Sequence, residues 1–133
     1  MTFQELLQAY AKGERDFSGV DLSGGDIRSA GSGSINLRGI NLSGANLSGT
    51  NLSYVGLIAA NLSGANLSGA KLYSASLMTA NLRGANLTGV NLRDAKLIGA
   101  DLRGIELREV NLMSTDVTGA KFPSYEAGGQ LRP

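Results

Sequence analysis

An apolar residue recurs every fifth position from Phe17 to Phe122, without insertion or deletion. Of these 22 positions, 17 are leucine, four are Phe17, Ile27, Val117 and Phe122, and only Ser32 breaks the series. With this residue as i, position i−2 is mostly small or β-branched, as in Ala60, Ala65 and Val90. Position i−1 is mostly Asn or Asp, i+1 polar or basic, and i+2 mostly Gly.

In extended chain, residues two apart share a side, so i−2 and i both face inward. Five is odd, so a straight strand would turn the next leucine to the opposite face. The chain must therefore turn a corner in every repeat. Glycine at i+2 permits the φ > 0 that the third residue of a type II turn requires. Repeated side, corner and side around one axis make a solenoid. A helix is a poor alternative, because five is not 3.6 and the 19 glycines would be costly.

AlaAsnLeuSerGly at 45–49, 60–64 and 65–69, AlaAsnLeuArgGly at 80–84 and AlaAspLeuArgGly at 100–104 resemble the pentapeptide repeat family, and the resemblance covers about four fifths of the chain. It implies an all-β solenoid, a right-handed quadrilateral parallel β-helix with four pentapeptides per coil. Five to six such coils, stacked at ~4.8 Å, form a rod roughly 26 Å long. The stretch GluArgAspPheSerGlyValAspLeuSerGly at 14–24, after a helix, is similar to cyanobacterial members of the family.

The division expected is a capping helix at 1–13, the β-helix at 14–124 and a tail at 125–133. Thr2 and Glu5 form a capping box for a helix over 2–13; Phe3, Leu6, Leu7 and Tyr10 share one face, and Gly13 ends it. Such a helix covers the leucines and unpaired edges of a first coil. Gly31, Ser32 and Gly33 are irregular, but the five-residue phase resumes at Ile35, which argues against an insertion. Pro123 resists another strand, leaving the far end thinly covered by Phe122 and Tyr125, a second candidate for self-association.

A twenty-residue coil places Asn41, Asn61 and Asn81 in one column and Asn46, Asn66 and Asn86 in another, where side-chain amides can form ladders. It places Arg83 above Arg103 and Arg28 on the same face as Arg108. The outward i+1 column reads Ser18, Arg38, Ile58, Met78, Ile98 and Thr118. Ile58, Met78 and Ile98 are apolar where other repeats carry Ser, Thr or Arg. The adjacent face adds Tyr73, Met113 and, at i+2, Tyr54. These six form a contiguous apolar strip, a candidate protein interface.

The chain has no histidine and no cysteine, so the commonest general base, thiol chemistry and cysteine metal sites are excluded. Its glycines follow the repeat and form no phosphate loop. No catalytic, cofactor-binding or metal-ligating residue is expected, and no cofactor. Asp101 and Glu106 lie on neighbouring faces, but nothing raises their pKa and a leucine-filled rod offers no cavity. The mixed charges after residue 71 read as a solvated surface, with no nucleic-acid stripe. No apolar run approaches the ~18 residues of a membrane span, and no secretion signal opens the chain, so a cytoplasmic protein is expected. The reading is a non-catalytic scaffold or protein-interaction module, with a foreign protein or a second copy as partner. The alternative implied by the resemblance is a DNA mimic binding a topoisomerase such as gyrase. That needs a strongly negative rod, whereas the net charge here is +1.

Overall fold

The structure, a computed structural model, describes residues 1–30 and 34–123. Gly31, Ser32, Gly33 and the tail from Ser124, on which several expectations fall, lie outside the described residues.

The leucines turn inward as their spacing predicts. From Leu37 to Leu102 every leucine at i is at most 1% exposed, and the alanines at i−2 from Ala45 to Ala100 are at most 3% exposed. They form one continuous core with Phe17, Leu22 and Ile27. Most repeats close a turn in which the i−2 amide of the next repeat donates to the leucine carbonyl, as Ala60 does to Leu57 at 3.1 Å. The third residue of that turn has φ > 0, whether it is Gly64 at 66° or Ala59 at 60°; at Ser29 a short 3-10 turn, Ile27–Ala30, takes its place.

Successive coils pair through parallel bridges, such as Asn41 with Asn61 and Asn61 with Asn81, twenty residues apart. Four bridge columns run along the molecule. The first face passes through Asn41, the second through Asn46, the third through Asn51 and the fourth through Gly56. Short strands were expected, but each pairing is a single isolated bridge. Corners take two of every five residues, so no side is long enough to extend the ladder.

The backbone bonds of one repeat can be counted completely. Asn61 N–H donates to Ile40 O, Leu62 N–H to Asn81 O, Gly64 N–H to Arg83 O and Ala65 N–H to Leu62 O, all within 2.7–3.1 Å. Four of five amides are thereby used in backbone bonds. The fifth, at i+1, is taken by a side chain: Ser63 N–H donates to Asn61 Oδ1 at 3.0 Å. This explains asparagine at i−1. The expected amide ladders along Asn41–Asn61–Asn81 and Asn46–Asn66–Asn86 do not form, because each Oδ1 is committed to the amide two residues ahead in its own repeat.

The first coil departs from the twenty-residue register. Asp16, Asp21 and Asp26 pair with Asn41, Asn46 and Asn51, each twenty-five residues on, whereas Asn36 pairs with Gly56, twenty on. A whole extra pentapeptide therefore lies between Asp26 and Asn36. The uninterrupted phase at Ile35 does not mean that nothing was inserted. Ser18 consequently stacks on Ser43, with Gly19 N–H donating to Ser43 O at 2.9 Å, and not on Arg38. Arg28 belongs to the third face, over Ser53, while Arg108 belongs to the second.

Helix α1 (Phe3–Ala11) lies against the start of the core. Thr2 caps it and shares the reciprocal capping box with Glu5. Phe3 and Leu6 are buried in the common core. Gly25 occupies an inward i−2 site where a methyl group would fall 2.9 Å from the Phe3 ring. Tyr10 Oη donates to Arg38 O at 2.7 Å, and Arg15 stacks on the Tyr10 ring. At the other end, Leu107, Leu112 and Phe122 are half-buried, Val117 is exposed, and no bridge joins Asn86 to Glu106.

Candidate functional site

Ile58, Met78 and Ile98 occupy i+1 on the fourth face, one per coil, joined by the bonds Ala59 N–H to Met78 O and Thr79 N–H to Ile98 O, both 2.9 Å. Arg38 precedes them and Thr118 follows. On the third face, Ser53, Tyr73, Arg93 and Met113 form the equivalent column. Tyr54 projects from the corner between the two faces and meets Tyr73 edge to face, with ring centroids 5.5 Å apart. The candidate residues therefore share two adjoining faces. They are not uniformly exposed: Tyr54 and Met113 are open to solvent, whereas Ile58, Met78, Ile98 and Tyr73 are half-buried. One-per-coil stacking makes each fourth-face side chain shield its neighbours.

These faces differ from the rest of the rod in two further ways. The first concerns the amide at i+1. From Arg38 to Arg103 that amide is held by Asn or Asp at i−1 except at Ile58, Tyr73, Met78 and Ile98. Their i−1 residues are Gly56, Lys71, Ser76 and Lys96, and no acceptor among the described residues takes the four N–H groups. The apolar residues thus coincide with loss of the asparagine latch. Met113 keeps its latch, to Asn111 at 3.0 Å.

The second concerns the corners. On the first face every described corner is glycine, from Gly19 through Gly104. After the third face the corners from the second coil onward are Tyr54, Ser74, Asp94 and Ser114, all with φ between 56° and 68°. Ala59 and Thr79 follow on the fourth face. Left-handed conformations cost non-glycine residues about 1–2 kcal/mol each. Strained corners therefore cluster along this edge, with side chains where the first face has none.

Asp101 and Glu106 do not meet. Asp101 is paired with Arg103 at 2.7 Å and Glu106 with Arg108 at 3.0 Å. The Arg103 guanidinium, hydrogen-bonded to Asp101, holds that carboxyl down at about 2, the opposite of a general acid. An open cleft of about 440 Å³ lies between the start of α1 and the Asp21–Ala30 segment. It is bounded by the helix and the first coil, and the core residues Phe3 and Leu22 form part of its wall. Among the described residues no group of His, Cys, Asp or Glu is arranged to hold a metal ion, and no helix is long and apolar enough to cross a membrane.

No curated protein matches the chain in sequence. Among solved structures it is similar to the pentapeptide repeat protein Rfr23 from the cyanobacterium Cyanothece 51142. The identity is 29% and the TM-score 0.52, over 88% of this chain and 96% of that one. A trypsin-treated variant of QnrB1, a plasmid-mediated fluoroquinolone resistance protein, superimposes with a TM-score of 0.56 at 20% identity, over 80% of this chain and 59% of that one. HetL from Nostoc sp. strain PCC 7120, involved in heterocyst differentiation regulation, is 35% identical over 81% of this chain and 48% of that one, with a TM-score of 0.36. Residues 34–69, 60–97 and 91–123 match the Pentapeptide repeats family in eight copies, so the chain belongs to the pentapeptide repeat proteins.

Proposed function

We propose that this protein is a non-catalytic interaction module: a right-handed, four-sided rod of five to six coils over 14–124, covered at one end by the helix within 1–13. It presents its third and fourth faces to a protein partner. Ile58, Met78 and Ile98 form the centre of that surface, with Tyr54, Tyr73 and Met113 beside them. The observation that carries the reading is the coincidence at Ile58, Tyr73, Met78 and Ile98 of an apolar outward side chain with a missing asparagine latch. Stability alone favours asparagine at i−1 and a small polar residue at i+1, as in most repeats. Departure from that pattern on one edge suits recognition.

The net charge of +1 and the arginines on the outward faces argue against mimicry of DNA. Affinity capture tests the proposal, with wild type beside Ile58→Ser/Met78→Ser/Ile98→Ser. A partner retained by wild type and lost from the variant supports the assignment; the same set on both baits removes it.

A further inference from the structure

The latch-free edge carries a chemical specification for its partner, an inference that rests on the interaction reading above. Three outward N–H groups, of Ile58, Met78 and Ile98, recur one per coil without an acceptor among the described residues, and Tyr73 supplies a fourth on the adjoining face. Two of the residues that displaced the latch are Lys71 and Lys96, both exposed and in no ion pair among the described residues. Asp116, one coil along the Lys96 column, is bonded to its own Thr118 hydroxyl at 2.6 Å. The two adjoining faces carry Arg28, Arg38, Lys71, Arg93 and Lys96 against Asp26, Asp94 and Asp116. Arg28 and Arg93 are the two already matched, to Asp26 at 2.9 Å and Asp94 at 3.9 Å. What remains is apolar side chains, free donors and an excess of positive charge, Arg38, Lys71 and Lys96 against Asp116, which ask for apolar side chains, acceptors and negative charge.

Spacing selects the partner's conformation. Coils repeat at ~4.8 Å. Acidic side chains on one face of an α-helix, three or four residues apart, recur at about 4.5–6 Å. Same-side residues of an extended strand recur at about 6.6–6.8 Å and fall out of step within two coils. The geometry points to an acidic amphipathic α-helix of a partner protein lying along this edge, its carboxylates accepting from the Ile58, Met78 and Ile98 amides and facing Lys71 and Lys96.

The test is a titration of the ¹⁵N-labelled full chain with a designed helical peptide of about fifteen residues or more. Leucine and glutamate are interleaved on one face, and a second peptide has every glutamate replaced by glutamine. The glutamate peptide is expected to move the amide protons of Ile58, Tyr73, Met78 and Ile98 downfield while those of the latched Ser43 and Ser63 stay in place. Affinity is expected to fall roughly two- to thirtyfold for the glutamine peptide, and likewise for Lys71→Asn/Lys96→Asn, as two exposed charge contacts warrant. That variant restores the consensus repeat, so a melting temperature at or above wild type shows that it is folded. Equal affinity for the two peptides, shifts elsewhere on the rod, or no binding at millimolar peptide overturns the inference. So does sedimentation showing that the edge is already occupied by a second copy of the chain. A captured partner that is lost from the triple serine variant but unmoved by Lys71→Asn/Lys96→Asn would overturn the acidic helix alone and leave the interaction reading standing.

Discussion

Lys96 stands two residues before Ile98, where most repeats place asparagine or aspartate, and the Ile98 amide has no acceptor among the described residues in consequence. At the equivalent place Asn91 Oδ1 takes the Arg93 amide at 3.0 Å. Lys96→Asn should restore the bond and raise stability by about 0.5–1.5 kcal/mol. Lys96→Gln, one methylene too long for the same tight turn, should give no such gain. Urea unfolding midpoints check this; equal effects of the two substitutions would mean that the latch contributes nothing.

The corner residues carry a separate cost. Ala59 has φ of 60° with no glycine to relieve it. Ala59→Gly should stabilise the rod by about 1 kcal/mol, the reverse of the usual penalty for glycine. Gly64→Ala, at a φ of 66° on the first face, should lose about as much although its methyl would meet nothing within 4 Å. Paired thermal melts of these two variants separate backbone strain from packing, and opposite signs are expected.

Leu67 is fully buried at the middle of the stacked leucines. Leu67→Ala should cost about 2–5 kcal/mol. Leu67→Asp, which buries a charge with no partner, should abolish cooperative unfolding seen by circular dichroism. A Leu67→Asp protein that melts like wild type would contradict the inward assignment.

Acid should weaken the rod through its carboxylates. The hydrogen bonds from Arg103 hold Asp101 at about 2, below its ordinary 3.8. Asp16 and Asp21 are also lowered, first by the Ser18 and Ser23 hydroxyls and then by the amides of the same residues. A folded pKa below the unfolded one contributes stability that is present above the unfolded value and is lost as pH falls through the folded value. The midpoint should therefore hold from neutral pH to about 4 and decline towards 2. Asp101→Asn should be less stable than wild type at neutral pH and show a shallower acid decline. Identical slopes would remove Asp101 from this account.

Much of this fold is readable from the chain because its constraints are local. A five-residue spacing forces leucine inward and a corner after it, and the twenty-residue columns from Asn41 onward follow. The extra pentapeptide before Asn36 was hidden because adding five residues to a period of five leaves the phase unchanged while shifting Ser18 and Arg28 by one face. The role of asparagine was half legible. Its position was plain, but whether Oδ1 points along the column or to the amide two residues ahead depends on which backbone donors the coils leave over. The apolar edge was visible at Ile58, Met78 and Ile98. Its sharper signal was missed: in the same repeats, and at Tyr73, residue i−1 has ceased to be Asn or Asp.

On the reading proposed above, the third and fourth faces receive a protein partner. Photo-cross-linking in the source cell tests it most directly, with benzoylphenylalanine replacing Tyr73 on the third face and, separately, Ser68 on the second. An adduct of defined mass from position 73 and none from position 68 is predicted. Equal labelling from both positions, or none from position 73 while position 68 reacts, would contradict the account.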